Sequence, residues 1–213
     1  MNEFTFRTKL DQTILLGRKA RNVKELLDGV TEVPKSSIYY HTHRFLQQHH
    51  YLSPEPPNDF AYWVNNVVND VVLGEQLSSI DIIQFHTITD LRAALAETIR
   101  HHIASLDRIV DAARGEEFHF MSCQTAVFPT PYAAKDLAEF KECLTHVSIN
   151  ALYYHMFDSR LRVKEGENDF SRWFADLGYE KLAAEVARLD PYTYTLEGLR
   201  KKIISLVNRY GKN

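Results

Sequence analysis

Long apolar runs are missing from this sequence of 213 residues. No segment approaches the ~18 to 20 apolar residues of a membrane-spanning helix. Charges at Glu3, Arg7, Lys9 and Asp11 break up the apolar stretch that a signal peptide would need. Cysteine is nearly absent: Cys123 and Cys143 form neither a CxxC pair nor a disulfide framework, as suits a reducing compartment. The expectation is a cytoplasmic protein that does not enter the membrane. Basic excess is lacking too. The 25 Lys and Arg stand against 28 Asp and Glu, a formal charge of −3, and no basic block tracks phosphates, so nucleic acid is not an expected partner. There is no GxGxxG fingerprint, phosphate loop, GxSxG elbow or HExxH element, which leaves the common nucleotide, hydrolase and metalloprotease chemistries without their signatures. What is present is apolar material for a core, 45% of the residues, enough for folding without disulfide or metal staples.

The apolar material is arranged twice. Sliding the chain against itself sets Glu3-Phe4-Thr5-Phe6 on Glu117-Phe118-His119-Phe120 and, with no gap, Tyr39-Tyr40-His41 on Tyr153-Tyr154-His155. Between these anchors Val23, Leu26, Val30 and Val33 fall on Leu137, Phe140, Leu144 and Val147, the spacing of one helical face. Beyond the histidines the second copy is shorter, and Asn58-Asp59-Phe60 with Trp63 then falls on Asn168-Asp169-Phe170 with Trp173. Leu91-Arg92 finally meets Leu199-Arg200. Small loop deletions account for the drift. The expected fold is mainly α: two tandem copies of a helical module, residues 1–114 and 115–213, packed as one compact unit with approximate twofold pseudosymmetry.

Within a copy, the alternating Phe-x-Phe, a turn-like Lys9 to Gln12 and then Thr13 to Leu16 predict a short strand or hairpin. Helices are predicted at about 20–31, 36–49, 58–69, 73–79 and 89–112 from their apolar periods. Asn22 with Glu25 and Asp136 with Glu139 are capping-box-like starts, Asn58 or Asp59 caps the third helix, and Thr89 the last. That last helix carries the stripe Leu91, Leu95, Ile99, Ile103, Leu106 and Ile109 or Val110, and is expected to join the copies.

Candidate chemistry centres on histidine and tyrosine. His41 and His155 share a helical stripe with apolar neighbours, which points them inward. A buried imidazole needs a hydrogen-bond partner, and the Asp that opens the following helix, Asp59 or Asp169, is in reach as one. The competing reading is a catalytic His-Asp pair. The first copy also holds HTHRFLQQHHYLSPEPP, which the second lacks. Helical spacing groups Tyr39, His43, Gln47 and His50 on one face, whereas His41 and His43 would point about 200° apart. His43 and His50 are the candidate ligands of a divalent metal, with others supplied from elsewhere, and no other cofactor is expected. The bland reading makes this segment a surface or an interface that suits a homodimer contact. Tyr39, Tyr40, Arg44 and Gln47, with Tyr153 and Tyr154, are the candidate ligand- or partner-binding residues, the tyrosines lining a seam between copies.

The series Phe-x-Phe, capped helix, YYH, NDF and W is similar to a prokaryotic family recorded only as a domain of unknown function, through SIYYHTHRFLQ, NDFAYW, ALYYH and NDFSRW. The resemblance covers nearly the whole chain and implies no reaction or catalytic residue. The expected function is a non-enzymatic module that binds a protein or small-molecule partner, or regulates one. The alternatives are a metal-binding protein or metal-dependent enzyme, and a sensor with its ligand in the seam.

Overall fold

The structure, a computed structural model, describes residues 3–48, 57–161, 167–190 and 193–211. It is mainly helical with one two-stranded sheet, β1 (Phe4–Ala20) against β2 (Phe118–Ala134). No described helix is long and apolar enough to cross a membrane. The expected short strand or hairpin is one uninterrupted strand: β2 partners β1, so the chain has no need to reverse at Lys9 to Gln12. The charges that read as a turn are accommodated differently. Arg7 is exposed. Lys9, only 1% exposed, places Nζ 2.5 Å from Asp158 Oδ2 and 5.1 Å from the Tyr153 ring centre.

The described residues fall into two compact units, 3–10 with 125–211 (the C-terminal unit) and 11–48 with 57–124 (the N-terminal unit). Both strands are therefore divided. Phe4 and Phe6 lie in the C-terminal unit among Phe140, Phe170 and His155, and Phe118 packs in the N-terminal unit on Phe60, Trp63 and His41. Each Phe-x-Phe thus fills the core built by helices of the other half of the sequence. Each fully buried phenylalanine contributes roughly 1.5–3 kcal/mol of transfer free energy.

The N-terminal unit carries α1 (Val23–Glu32), α2 (Lys35–Tyr39), α3 (Phe45–Gln48), α4 (Asp59–Trp63), α5 (Val71–Ser78) and α6 (Ile88–Ile103). The C-terminal unit carries α7 (Leu137–His146), α8 (Ile149–Met156), α9 (Asp169–Asp176), α10 (Glu180–Ala187) and α11 (Leu196–Tyr210). Asn22 and Asp136 cap α1 and α7 as read, but Glu25 and Glu139 accept from the N–H of Arg21 and Lys135, one residue before the cap. Asn58 and Asn168, both fully buried, each accept from a first-turn N–H and donate their amide to the end of the next helix, at Leu77 O and Val186 O. Arg92 and Arg200 likewise reach back to the carbonyls of Val33 and Val147.

Three expectations need correction. The helix predicted over 36–49 contains a π-helical turn, Tyr40–Arg44, between α2 and α3. A π-turn accommodates an extra residue, and His41 and His43 are both buried, at 2% and 1% exposure, His41 against Phe60 and Phe118 and His43 against Tyr39. His43 and the largely buried Gln47 are therefore not surface residues. The helix predicted over 89–112 starts after a Thr87 cap and ends at Ile103, because the following segment is tied elsewhere: Ala112 N–H donates to Arg21 O and Asn22 Nδ2 to Asp111 Oδ1. Ile109 and Val110 are left exposed.

Two stability predictions follow. Gly29 of α1 sits under the Phe120 ring, and a Cβ there would lie 2.0 Å from Cζ. Gly29→Ala, ordinarily favourable in a helix, should destabilise by about 1–3 kcal/mol through overpacking. Urea denaturation reads this directly, and a stabilised variant would contradict the packing. Asp158→Ala removes the carboxylate beside a buried ammonium and should cost about 3–5 kcal/mol, whereas the double variant Lys9→Met/Asp158→Leu, which removes both charges and keeps the volume, should cost far less. Equal losses in the two variants would count against a paired, buried Lys9.

Candidate functional site

The elements that close the C-terminal core also form a cleft of about 410 Å³. Strand β1 supplies Phe4, Thr5 and Arg7, α8 supplies Tyr154 and His155, and α9 supplies Asp169, Arg172, Trp173 and Asp176. The α9 residues lie on one face, since positions three, four and seven apart coincide on a helix. The floor is enclosed: Phe4, Tyr154, His155 and Trp173 are all under a tenth exposed.

His155 carries the geometry that decides between structure and catalysis. Its Nε2 accepts from the Arg7 backbone N–H at 2.8 Å. Because a backbone amide can only donate, Nδ1 bears the ring proton and donates to Asp169 Oδ2, also at 2.8 Å. In the N-terminal unit, His41 Nε2 accepts from Met121 N–H at 2.9 Å and Nδ1 donates to Asp59 Oδ2 at 2.7 Å. A general base needs a nitrogen aimed at a reacting proton. Here both ring nitrogens are engaged with the protein itself. The buried hydrogen bond expected between each histidine and the Asp opening the next helix is present in both units.

Three charged groups of the cleft remain. Arg7, Arg172 and Asp176 are exposed, and among the described residues none of their side chains has a hydrogen bond or ion pair. At the corresponding positions the N-terminal unit has Met121, Tyr62 and Asn66. The sequence holds a signal for these three that a search for unmatched segments passes over: unlike residues at otherwise matched positions.

The residues singled out from the sequence are distributed. Tyr154 lines the cleft. Tyr153 is 1% exposed and packs on Phe157. In the N-terminal unit Tyr39 stacks on His43 at 5.5 Å, and Arg44 lies over the Tyr40 ring at 5.0 Å while its Nη2 donates to Asp11 O at 3.4 Å. Gln47, on α3, is buried. His50 lies outside the described residues. Among the described residues no three His, Cys, Asp or Glu side chains converge as metal ligands. Both cysteines are free thiols. Cys123 is buried, and burial pushes the Cys143 thiol above its ordinary value while Sγ donates to Ala133 O.

The architecture is that of helical units whose cores are each completed by a strand segment and whose histidines serve as internal bridges. The chain belongs to the family described as a family of unknown function (DUF5752), whose model matches residues 1–208. It is similar to the solved structure of OrfY from Thermoproteus tenax, with 28% sequence identity and a TM-score of 0.83 over 100% of this chain and 97% of that one. No curated protein matches it.

The bridging role makes a prediction. His155→Phe keeps a ring in the core but leaves the Arg7 N–H and the Asp169 carboxylate without their partner, and should destabilise by about 2–4 kcal/mol. Urea unfolding of the variant checks it. A variant as stable as the parent would mean that the imidazole is not a structural bridge.

Proposed function

We propose that the chain is a tandem duplication of one module and that it acts as a non-enzymatic binding or regulatory protein, with a small-molecule site in the cleft of the C-terminal unit. The duplication reading is supported by four interactions that recur at matched positions: the histidine bridge, the capping asparagine that also holds the next helix, the arginine that reaches back to a valine carbonyl, and the Phe-x-Phe in the aromatic core. Chance placement of all four is a poor alternative.

One observation carries the binding reading: two guanidiniums and a carboxylate without protein partners border an enclosed aromatic floor. Preformed clefts of several hundred Å³ that combine apolar walls with a few polar groups are the usual form of a small-ligand site. The adjacent histidine is committed to the fold, which favours binding over acid-base catalysis. The free thiols suit a reducing cytoplasm.

A thermal-shift screen spanning amino acids, carboxylates, sugar phosphates and nucleotides tests this, because a ligand present at a hundred times its Kd adds about 2.7 kcal/mol to the native state. At least one compound should raise the Tm of the parent by several degrees and leave Arg172→Tyr unmoved. That variant installs the residue found at the matched position, Tyr62, and should fold normally. If no compound distinguishes parent from variant, the cleft is not the site.

A further inference from the structure

We infer that the ligand of this cleft is a small zwitterion of the amino-acid class, its carboxylate held by Arg7 and Arg172 and its ammonium by Asp176. The inference rests on the reading of the cleft as a ligand site and adds the chemistry of what fills it.

The argument starts from the sign of the available charges. Arg7 and Arg172 call for an oxyanion, and guanidiniums match planar carboxylates with two parallel hydrogen bonds. A simple anion such as phosphate would satisfy them while lying in a cleft that also holds the carboxylates of Asp169 and Asp176. Asp169 is engaged with His155. Asp176 has no partner among the described residues, so a doubly charged anion meets uncompensated like charge there. A ligand that brings its own cation turns that repulsion into attraction. Arg172 and Asp176 stand four apart on α9 without forming an ion pair, in the Arg-before-Asp order that is the weaker one on a helix. Both therefore remain available to a ligand.

The walls and size agree. Trp173 and Tyr154 offer aromatic surface on which an ammonium or an apolar side chain can rest, and about 410 Å³ lies near the lower end of ligand-site volumes, which suits a free amino acid. The N-terminal unit supplies an internal control. Where the scaffold residues His, Asp, Phe and Trp are kept, all three charges are gone together, as Met121, Tyr62 and Asn66. Neither the arginines nor the aspartate is demanded by the fold.

The test titrates the full chain calorimetrically with each of the twenty protein amino acids, with the deaminated acid of the tightest one, and with inorganic phosphate. At least one amino acid should bind, and removal of its amine should weaken binding tenfold or more. Asp176→Asn, which installs the residue matched in the other unit, should weaken the amino acid by a similar factor and leave phosphate no weaker than with the parent. Arg172→Tyr should abolish binding of both. Undiminished amino-acid affinity in Asp176→Asn overturns the proposal, as does a parent that binds phosphate and no amino acid. A different compound that binds the parent and is lost in Arg172→Tyr overturns only the ligand class and leaves the cleft as the site. Ligand binding unchanged in Arg172→Tyr overturns both.

Discussion

A backbone N–H just past each Phe-x-Phe has to find an acceptor, and in both units an imidazole supplies it. Each strand of a two-stranded sheet has one open edge, along which alternate N–H groups have no ladder partner. The Arg7 amide then turns to His155 and the Met121 amide to His41. Each ring donates its Nδ1–H to the aspartate that opens the following helix, so strand, helix and next helix start are fixed by one side chain. An unmet buried amide costs about 1–3 kcal/mol, and an unmet carboxylate more. The aromatic packing around each ring depends on this orientation, and the start of the helix that follows depends on it in turn.

Half of that bridge is legible in the sequence. Helical periodicity turns both histidines inward, and a buried imidazole must have a partner, which leads to Asp59 and Asp169. The other half is not, because Arg7 and His155 are 148 residues apart and no local pattern says which strand enters which core. The same limit explains the misread charges of β1. Lys9 looks like a turn residue until Asp158 is brought to it from the far end of the chain. Helix starts are legible where Asn or Asp caps them, since a cap is local chemistry. The π-turn at Tyr40–Arg44 is not, since an added residue inside a helix leaves the composition unchanged. The end of α6 is missed for a third reason: its apolar stripe runs on through Ile109 and Val110, and only the ties of Ala112 and Asn22 show that the chain has already left the helix.

The candidate site was nearly invisible for a related reason. A comparison of the two halves of the sequence that asks which segment is unmatched points to the stretch between His41 and Asn58, with its histidines and prolines. A comparison that asks which residues are unlike at matched positions points to Arg7 against Met121, Arg172 against Tyr62 and Asp176 against Asn66. The second question has little force until the structure shows that the three positions border one cleft.

The buried positions supply the contrast that gives those surface differences their meaning. Lys9 corresponds to Cys123, and Asp158, three residues after its histidine, corresponds to Arg44. Here a change at one position is met by a change at the other. The Lys9–Asp158 pair of one unit is replaced in the other by different contacts: Cys123 Sγ donates to Ser36 O, and Arg44 pairs with Asp11 and lies over the Tyr40 ring. Buried charge tolerates substitution only with such compensation, because an ion left alone in a core is far less stable than a pair. Arg7, Arg172 and Asp176 differ from their counterparts without compensation from one another or from any described neighbour. Charges that the interior does not balance and the fold does not require are available to be balanced by what binds.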